Sequence, residues 1–318
     1  MRIVLQVGVM MILFFPGWSW GQSAGTTSFN FLKNQYSARG AALAGNLVAV
    51  KGDLNTLLYN PAGLVGLPKT QWMLGYVDHL LDFQGGQLAY GRVFPRWGTL
   101  GIWLVYFNYG RFEETDVFGE PTGKEFGASE MALGITLSNV LGPNFDYGVS
   151  IKWIYSALDV YTASALAIDA GLIYTHPGID GLQIGLSMAN VGMMLDKYTA
   201  VKERMPILIR VGFAKRLAHL PLLFTAALND LTRSDGGPLW NRLKRFSVGG
   251  EFDVSRVIKL RFGYQNDVNQ NVKPLGGRNF AGVTAGLGIV WRGFRLDYGY
   301  SSWGDLGSQN RLTVTGTF

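Results

Sequence analysis

The chain has no cysteine among its 318 residues. That absence excludes a lipoprotein anchor, a disulfide framework and thiolate-ligated metal, and it suits a chain that folds after export, where stray thiols mispair. Charge is scarce too: Asp, Glu, Lys and Arg make up 16% of residues, against about 25% in an ordinary soluble domain. The three histidines, His79, His176 and His219, lie far apart. They offer neither metal-ligand spacing nor a base tied to a serine nucleophile, so no catalytic residue, metal or cofactor is expected. Beyond residue 21 there is no run of 18 uncharged, mostly apolar residues. A helix crossing about 30 Å of hydrocarbon needs roughly 20 of them, so helical spanning is excluded. The surplus of basic residues, net +6, is scattered along the chain and forms no nucleic-acid-binding stripe.

What is present is apolar and glycine-rich: 48% hydrophobic residues, 13% aromatic residues and 43 glycines. The glycines form no phosphate-cradling loop ahead of a helix and mark strand crowding and turns instead. A chain of this composition without a spanning helix satisfies its backbone in lipid only as a closed β-barrel. Its first residues read as an export signal over 1–21, with Arg2, an apolar run from Ile3 to Phe15, and small residues at Ser19 and Gly21.

From residue 71 onward, apolar and polar residues alternate over segments of about ten, the period of a transmembrane barrel. Phe145, Tyr147, Val149, Ile151, Trp153 and Tyr155 form one face, and Asp146, Gly148, Ser150, Lys152, Ile154 and Ser156 the other. The pattern predicts an all-β fold, a 14-stranded antiparallel transmembrane β-barrel over 68–318. Every second connection is short, as at Pro95-Arg96, Gly142-Pro143, Ser255-Arg256 and Arg292-Gly293. Gly110 to Phe126, Gly192 to Met205, Leu231 to Arg242 and Asp267 to Asn279 read as loops at the outer end. Their apolar residues, Tyr109, Phe112, Phe118, Met193, Met194, Leu195 and Tyr198, mark a surface for a partner or ligand, or the upper lipid boundary. Inward charges of both signs, Glu251, Lys259, Arg261, Arg295 and Asp297, predict ion pairs in the lumen. Parity limits Glu251 to facing Lys259 or Arg261. Phe318 ends the last segment on the lipid face, where the barrel-assembly machinery reads a terminal aromatic.

Residues 22–67 do not alternate and are too apolar for a disordered tail. They are expected to fold as a plug in the lumen, where Arg39 can meet inward carboxylates.

Two stretches carry a family resemblance. SARGAALAGNLVAVKGDLNTLLYNPAGL, Ser37 to Leu64, resembles the N-terminal motif of the PorV/PorQ family, including an Asn60-Pro61-Ala62-Gly63 plug motif shared with FadL-type transporters. LDYGYSSWGDLGSQNRLTVTGTF, Leu296 to Phe318, is similar to that family's closing hairpin, and Val248 to Phe252 with Leu260 to Gln265 also fit. The resemblance implies an outer-membrane barrel acting in type IX secretion or surface attachment, with outer-membrane lipid, secretion components and secreted proteins as partners. The alternative it leaves open is a FadL-like passive transporter of long-chain fatty acids or another hydrophobic small molecule.

Overall fold

The computed structural model describes residues 27–198, 204–233, 240–272 and 280–318. The export signal read at 1–21 lies outside the described residues, as do parts of three expected loops.

The strands are β1 (Gln71–Asp78), β2 (Gln84–Phe94), β3 (Gly98–Thr115), β4 (Pro121–Gly142), β5 (Phe145–Leu158), β6 (Tyr161–Thr175) and β7 (Leu182–Asp196). They continue with β8 (Leu208–Arg216), β9 (Leu222–Leu228), β10 (Phe246–Asp253), β11 (Ile258–Gln265), β12 (Val283–Trp291), β13 (Phe294–Ser302) and β14 (Ser308–Thr317). Each pairs antiparallel with its sequence neighbours, and β1 pairs with β14, so the 14 strands close a barrel without an edge.

Parity decides which side chains meet lipid. In β5, Val149, Ile151 and Trp153 are exposed while Ser150, Lys152 and Ile154 are buried, and the same alternation runs through β4, β6, β10 and β13. The exposed set forms a continuous apolar outer face, which in a closed barrel is the surface that lipid covers. The closing hairpin pairs Trp291 with Phe294 and Ile289 with Leu296. Its two-residue turn takes positive φ at both positions, 45° at Arg292 and 87° at Gly293, which matches the twist of the flanking strands. Phe318 lies just past β14 and is exposed, its backbone N–H donating to Thr70 O at 3.0 Å.

The wall changes character toward the long-loop end. β3 and β4 pair as far as Thr115 with Pro121, leaving a turn at 116–120. Tyr109 and Phe112 are therefore strand residues, and the loop expected over 110–126 is instead a long hairpin. Beyond the lipid both faces of a ladder are wet, so polar residues such as Glu113 and Lys124 continue it without apolar alternation. Met193, Met194 and Leu195 likewise lie within β7, Met193 and Leu195 facing out and Met194 packing inward. Only Phe118 and Tyr198 of the expected loop set lie outside strands.

Between β6 and β7 the ladder carries a bulge, with Ala189 and Asn190 set against Asp169 alone. Asn190 takes φ 63°, and its backbone N–H donates to the Asp169 carboxylate at 2.7 Å. A side-chain oxygen thus replaces the missing ladder acceptor. β7 pairs with β8 only as far as Ala189 with Leu208.

Candidate functional site

Residues 29–67 lie within the lumen as short helical turns: 3₁₀ segments Asn30–Lys33, Leu54–Thr56 and Pro61–Leu64, and α1 (Ala38–Ala42). Ser37 caps α1, its hydroxyl accepting from Gly40 N at 3.1 Å. Leu43, Leu47, Leu54, Leu57 and Leu64 are completely buried here. Each such side chain contributes about 1.5–3 kcal/mol of transfer free energy.

The wall makes room for this segment with inward glycines. A Cβ on Gly148 would stand 2.3 Å from the Pro61 carbonyl carbon, and one on Gly171 would stand 1.8 Å from Asn60 Oδ1. One on Gly185 would stand 2.0 Å from Val48 O, and one on Gly299 would stand 2.4 Å from Ala38 O. Absent side chains on β5, β6, β7 and β13 therefore let the lumenal backbone lie directly on the sheet. Asn60 completes the seat, donating from Nδ2 to Val48 O at 2.6 Å and to Leu172 O at 3.2 Å, while Oδ1 accepts from Ala62 N at 3.0 Å. Ser138 Oγ donates to Pro61 O at 2.6 Å. Ala62 and Gly63 are buried in the same turn.

On the opposite side, charge provides the anchor. Arg39 forks onto Glu251 with two bonds of 2.8 Å and reaches Asp53 at 2.6 Å. Arg261 meets Glu251 at 2.6 Å and Asp297 at 2.8 Å, and Arg295 meets Asp297 at 2.7 Å and Asp53 at 3.1 Å. The six groups form a closed, charge-neutral ring of alternating sign. Two members, Arg39 and Asp53, belong to the lumenal segment, and the other four to β10, β11 and β13. Burial pushes the Asp53 carboxyl up, but Arg295 and Arg39 outweigh it and hold the group well below the usual carboxylate range. The strand register sets Glu251 opposite Arg261 and Asp253 opposite Lys259, so Lys259 binds Asp253 and stands outside the ring.

At the long-loop end the lumen divides into two halves. On the β1–β4 side aromatic rings pack edge to face: Phe107 with Tyr109 at 4.9 Å, Phe83 with Tyr109 at 5.2 Å, and Phe83 with Phe112 at 6.3 Å. Tyr109 donates its hydroxyl to Glu130, and Tyr198 donates to Ser156. Tyr109, Phe112, Met194 and Tyr198 thus belong to this inward cluster or its rim, whereas Phe118 is exposed at the hairpin tip.

The other half is a cavity of about 420 Å³ above the lumenal segment, whose lining includes Tyr59, His79, Arg210, Asn229, Asp230, Arg245, Gln309 and Arg311. Arg210 and Arg311 were not singled out from the sequence. The signal for both was parity: in β8 Val211 and Phe213 face out, which turns Arg210 inward. Burial pushes the Tyr59 hydroxyl up to about 12 against the opposing pull of Arg311 and Arg210. Burial pushes His79 down to about 4, with Arg311 adding to it. Gln309 Oε1 accepts from Arg311, so its Nε2 donates to His79 Nε2 at 2.7 Å, and the ring bonds Gln309 as neutral imidazole. Among the described residues no cluster of metal ligands occurs.

The sequence matches no protein-family model and no curated protein. Its fold does match solved structures. The Pseudomonas putida toluene transporter TodX superposes with a TM-score of 0.61 at 14% identity, over 89% of this chain and 98% of that one. The Ralstonia pickettii toluene transporter TbuX gives 0.58 at 12% identity, over 90% and 100%. A Pseudomonas aeruginosa FadL homologue gives 0.56 at 12% identity, over 90% and 99%. The chain shares the fold of these neighbours: a closed 14-stranded antiparallel barrel of the FadL type.

Proposed function

We propose that the chain is an outer-membrane channel for passive uptake of a small hydrophobic compound, with residues 22–67 as its plug and the long-loop end facing outward. The observation that carries this reading is the aromatic half of the outer mouth, Phe83, Phe107, Tyr109 and Phe112, set above a plugged lumen. Aromatic rings packed edge to face offer an apolar guest a surface that water wets poorly. The fold is one in which TodX and TbuX move toluene. The export signal over 1–21 and the terminal Phe318 serve delivery and insertion in this reading.

The seated plug leaves little axial space, since Asn60 and Thr56 are completely buried. The exit therefore lies through the wall at the β7–β8 seam, where pairing stops at Ala189 beside the bulge.

A second reading, the PorV/PorQ-type role in type IX secretion, draws on the motifs at Ser37 to Leu64 and Leu296 to Phe318. One structural feature favours it: Val117 and Phe118, 93% and 87% exposed, tip a hairpin that stands clear of the barrel. The transport reading has the stronger support because TodX and TbuX, which share the fold, are toluene transporters.

Purification from outer membranes in mild detergent, followed by mass spectrometry of the extract, separates the two. A hydrocarbon or acyl compound near one per barrel, lost in Phe83→Ala, supports transport. Stoichiometric secretion proteins with no small molecule would overturn it.

A further inference from the structure

The arginine half of the outer mouth is built for a different guest. Five basic side chains, Lys33, Arg210, Arg233, Arg245 and Arg311, line the cavity against two acidic ones, Asp230 and Asp267. The acids are engaged: Lys33 stands 3.7 Å from Asp230, and Arg233 stands 3.6 Å from Asp267. Arg210 and Arg311 have no carboxylate within 4.0 Å among the described residues, although both are buried. Arg311 donates only to neutral oxygens, those of Gln35, Ser301 and Gln309. Arg210 leaves Nη1 without any acceptor while its guanidinium lies 6.0 Å from the centre of the Tyr59 ring, and the Tyr59 hydroxyl is likewise buried and unpartnered.

A buried guanidinium with no carboxylate in direct contact is costly: Arg210 feels Asp230 and Asp169 only from beyond 4.0 Å, and burial of Arg311 is offset by no carboxylate. The topology shows what would complete the site. Arg210 enters from β8 and Arg311 from β14, nearly opposite one another in the closed strand order, with Tyr59 of the plug between them. A single compact anion satisfies one wall; a ligand with an anionic group at each end satisfies both. The planar guanidinium fork matches a carboxylate with two parallel bonds. Asn34, Gln35, Asn229 and Gln265 in the lining suit polar groups, while Leu58, Leu208 and Trp303 can cover the short apolar stretch between two carboxylates.

We propose that this cavity is a binding site for a small polar dicarboxylate, whose two carboxylates engage Arg210 and Arg311 while the Tyr59 hydroxyl donates to the former's partner. The ligand would tie two walls of the barrel to the plug. This inference does not depend on hydrocarbon passage through the aromatic half.

The test is calorimetric titration of the purified barrel in nanodiscs with linear dicarboxylates of four to seven carbons at constant ionic strength. Pentanoate and sulfate serve as comparison ligands. Saturable binding of at least one dicarboxylate is expected, about ten-fold or more tighter than pentanoate, because one charged hydrogen-bonded contact is worth at least that factor. Arg210→Gln and Arg311→Gln should each weaken it about ten-fold or more. Tyr59→Phe should weaken it several-fold while the unfolding temperature stays unchanged. If Arg311→Gln fails to fold, because it loses its bond to Gln35, the other two variants decide. No binding of any dicarboxylate, equal binding of pentanoate or sulfate, or undiminished binding by folded Arg210→Gln would overturn the proposal.

Discussion

Replacing Glu251 by Gln tests how the lumenal segment is held. Glu251 accepts from Arg39 on one side and Arg261 on the other. Removing its charge leaves the buried ring with one uncompensated cation. Breaking a buried pair from one side costs about 3–5 kcal/mol. The low end applies, because Arg39 keeps Asp53 at 2.6 Å and Arg261 keeps Asp297 at 2.8 Å. About 3 kcal/mol corresponds to a fall of about 5 °C for a chain of this size. Glu251→Lys leaves two surplus cations and should fall further. Adding Arg39→Gln to Glu251→Gln restores neutrality, so the pair should cost less than the sum of the singles by about 1–3 kcal/mol. The assay is the temperature at which the folded band converts to the unfolded one on unboiled gels. Strict additivity, or Gln and Lys variants that unfold together, would refute the ring as a coupled unit.

Three further outcomes are expected. Gly171→Ala should destabilise the barrel by about 1–3 kcal/mol through overpacking, and should expose the lumenal segment to limited proteolysis; Gly142→Ala, whose Cβ meets nothing within 4 Å, should do neither. Asn60→Ala should cost about 1–2 kcal/mol, seen as a lower unfolding midpoint, since it removes the cap on Ala62 N and the bond to Val48 O. His79 is held at about 4 in the fold against 6.5 when free, so the unfolded chain binds more protons between those values. Its contribution is complete above pH 6.5 and is lost as pH falls toward 4; comparing unfolding midpoints at pH 7 and pH 4.5, His79→Gln should show a smaller drop than the native chain.

The wall was legible where one face meets lipid, because a slip of one residue in β5 or β13 would turn Lys152 or Asp297 outward. The pairing of Glu251 with Arg261 rather than Lys259 was not, since parity permits both and only the turn at 254–257 chooses. The reach of the hairpin past Tyr109 was hidden for a physical reason: outside the membrane a ladder no longer needs apolar alternation, so Glu113 and Lys124 read as loop. The seat of the lumenal segment was half visible. Gly148 and Gly171 sit at inward parity, but that they receive Pro61 and Asn60 is a tertiary fact with no local signal. Arg210 and Arg311 were readable as inward charges, yet that neither meets a carboxylate within 4.0 Å among the described residues appears only once the barrel is closed.

The most direct test of the central claim is uptake of labelled toluene by intact cells that lack their own hydrocarbon channel and carry this protein, folded, in the outer membrane. Uptake several-fold faster than in cells with the empty vector, and reduced by Phe83→Ala at equal protein level, is the expected result. Uptake equal to the empty vector for toluene and for a long-chain fatty acid alike would contradict the account.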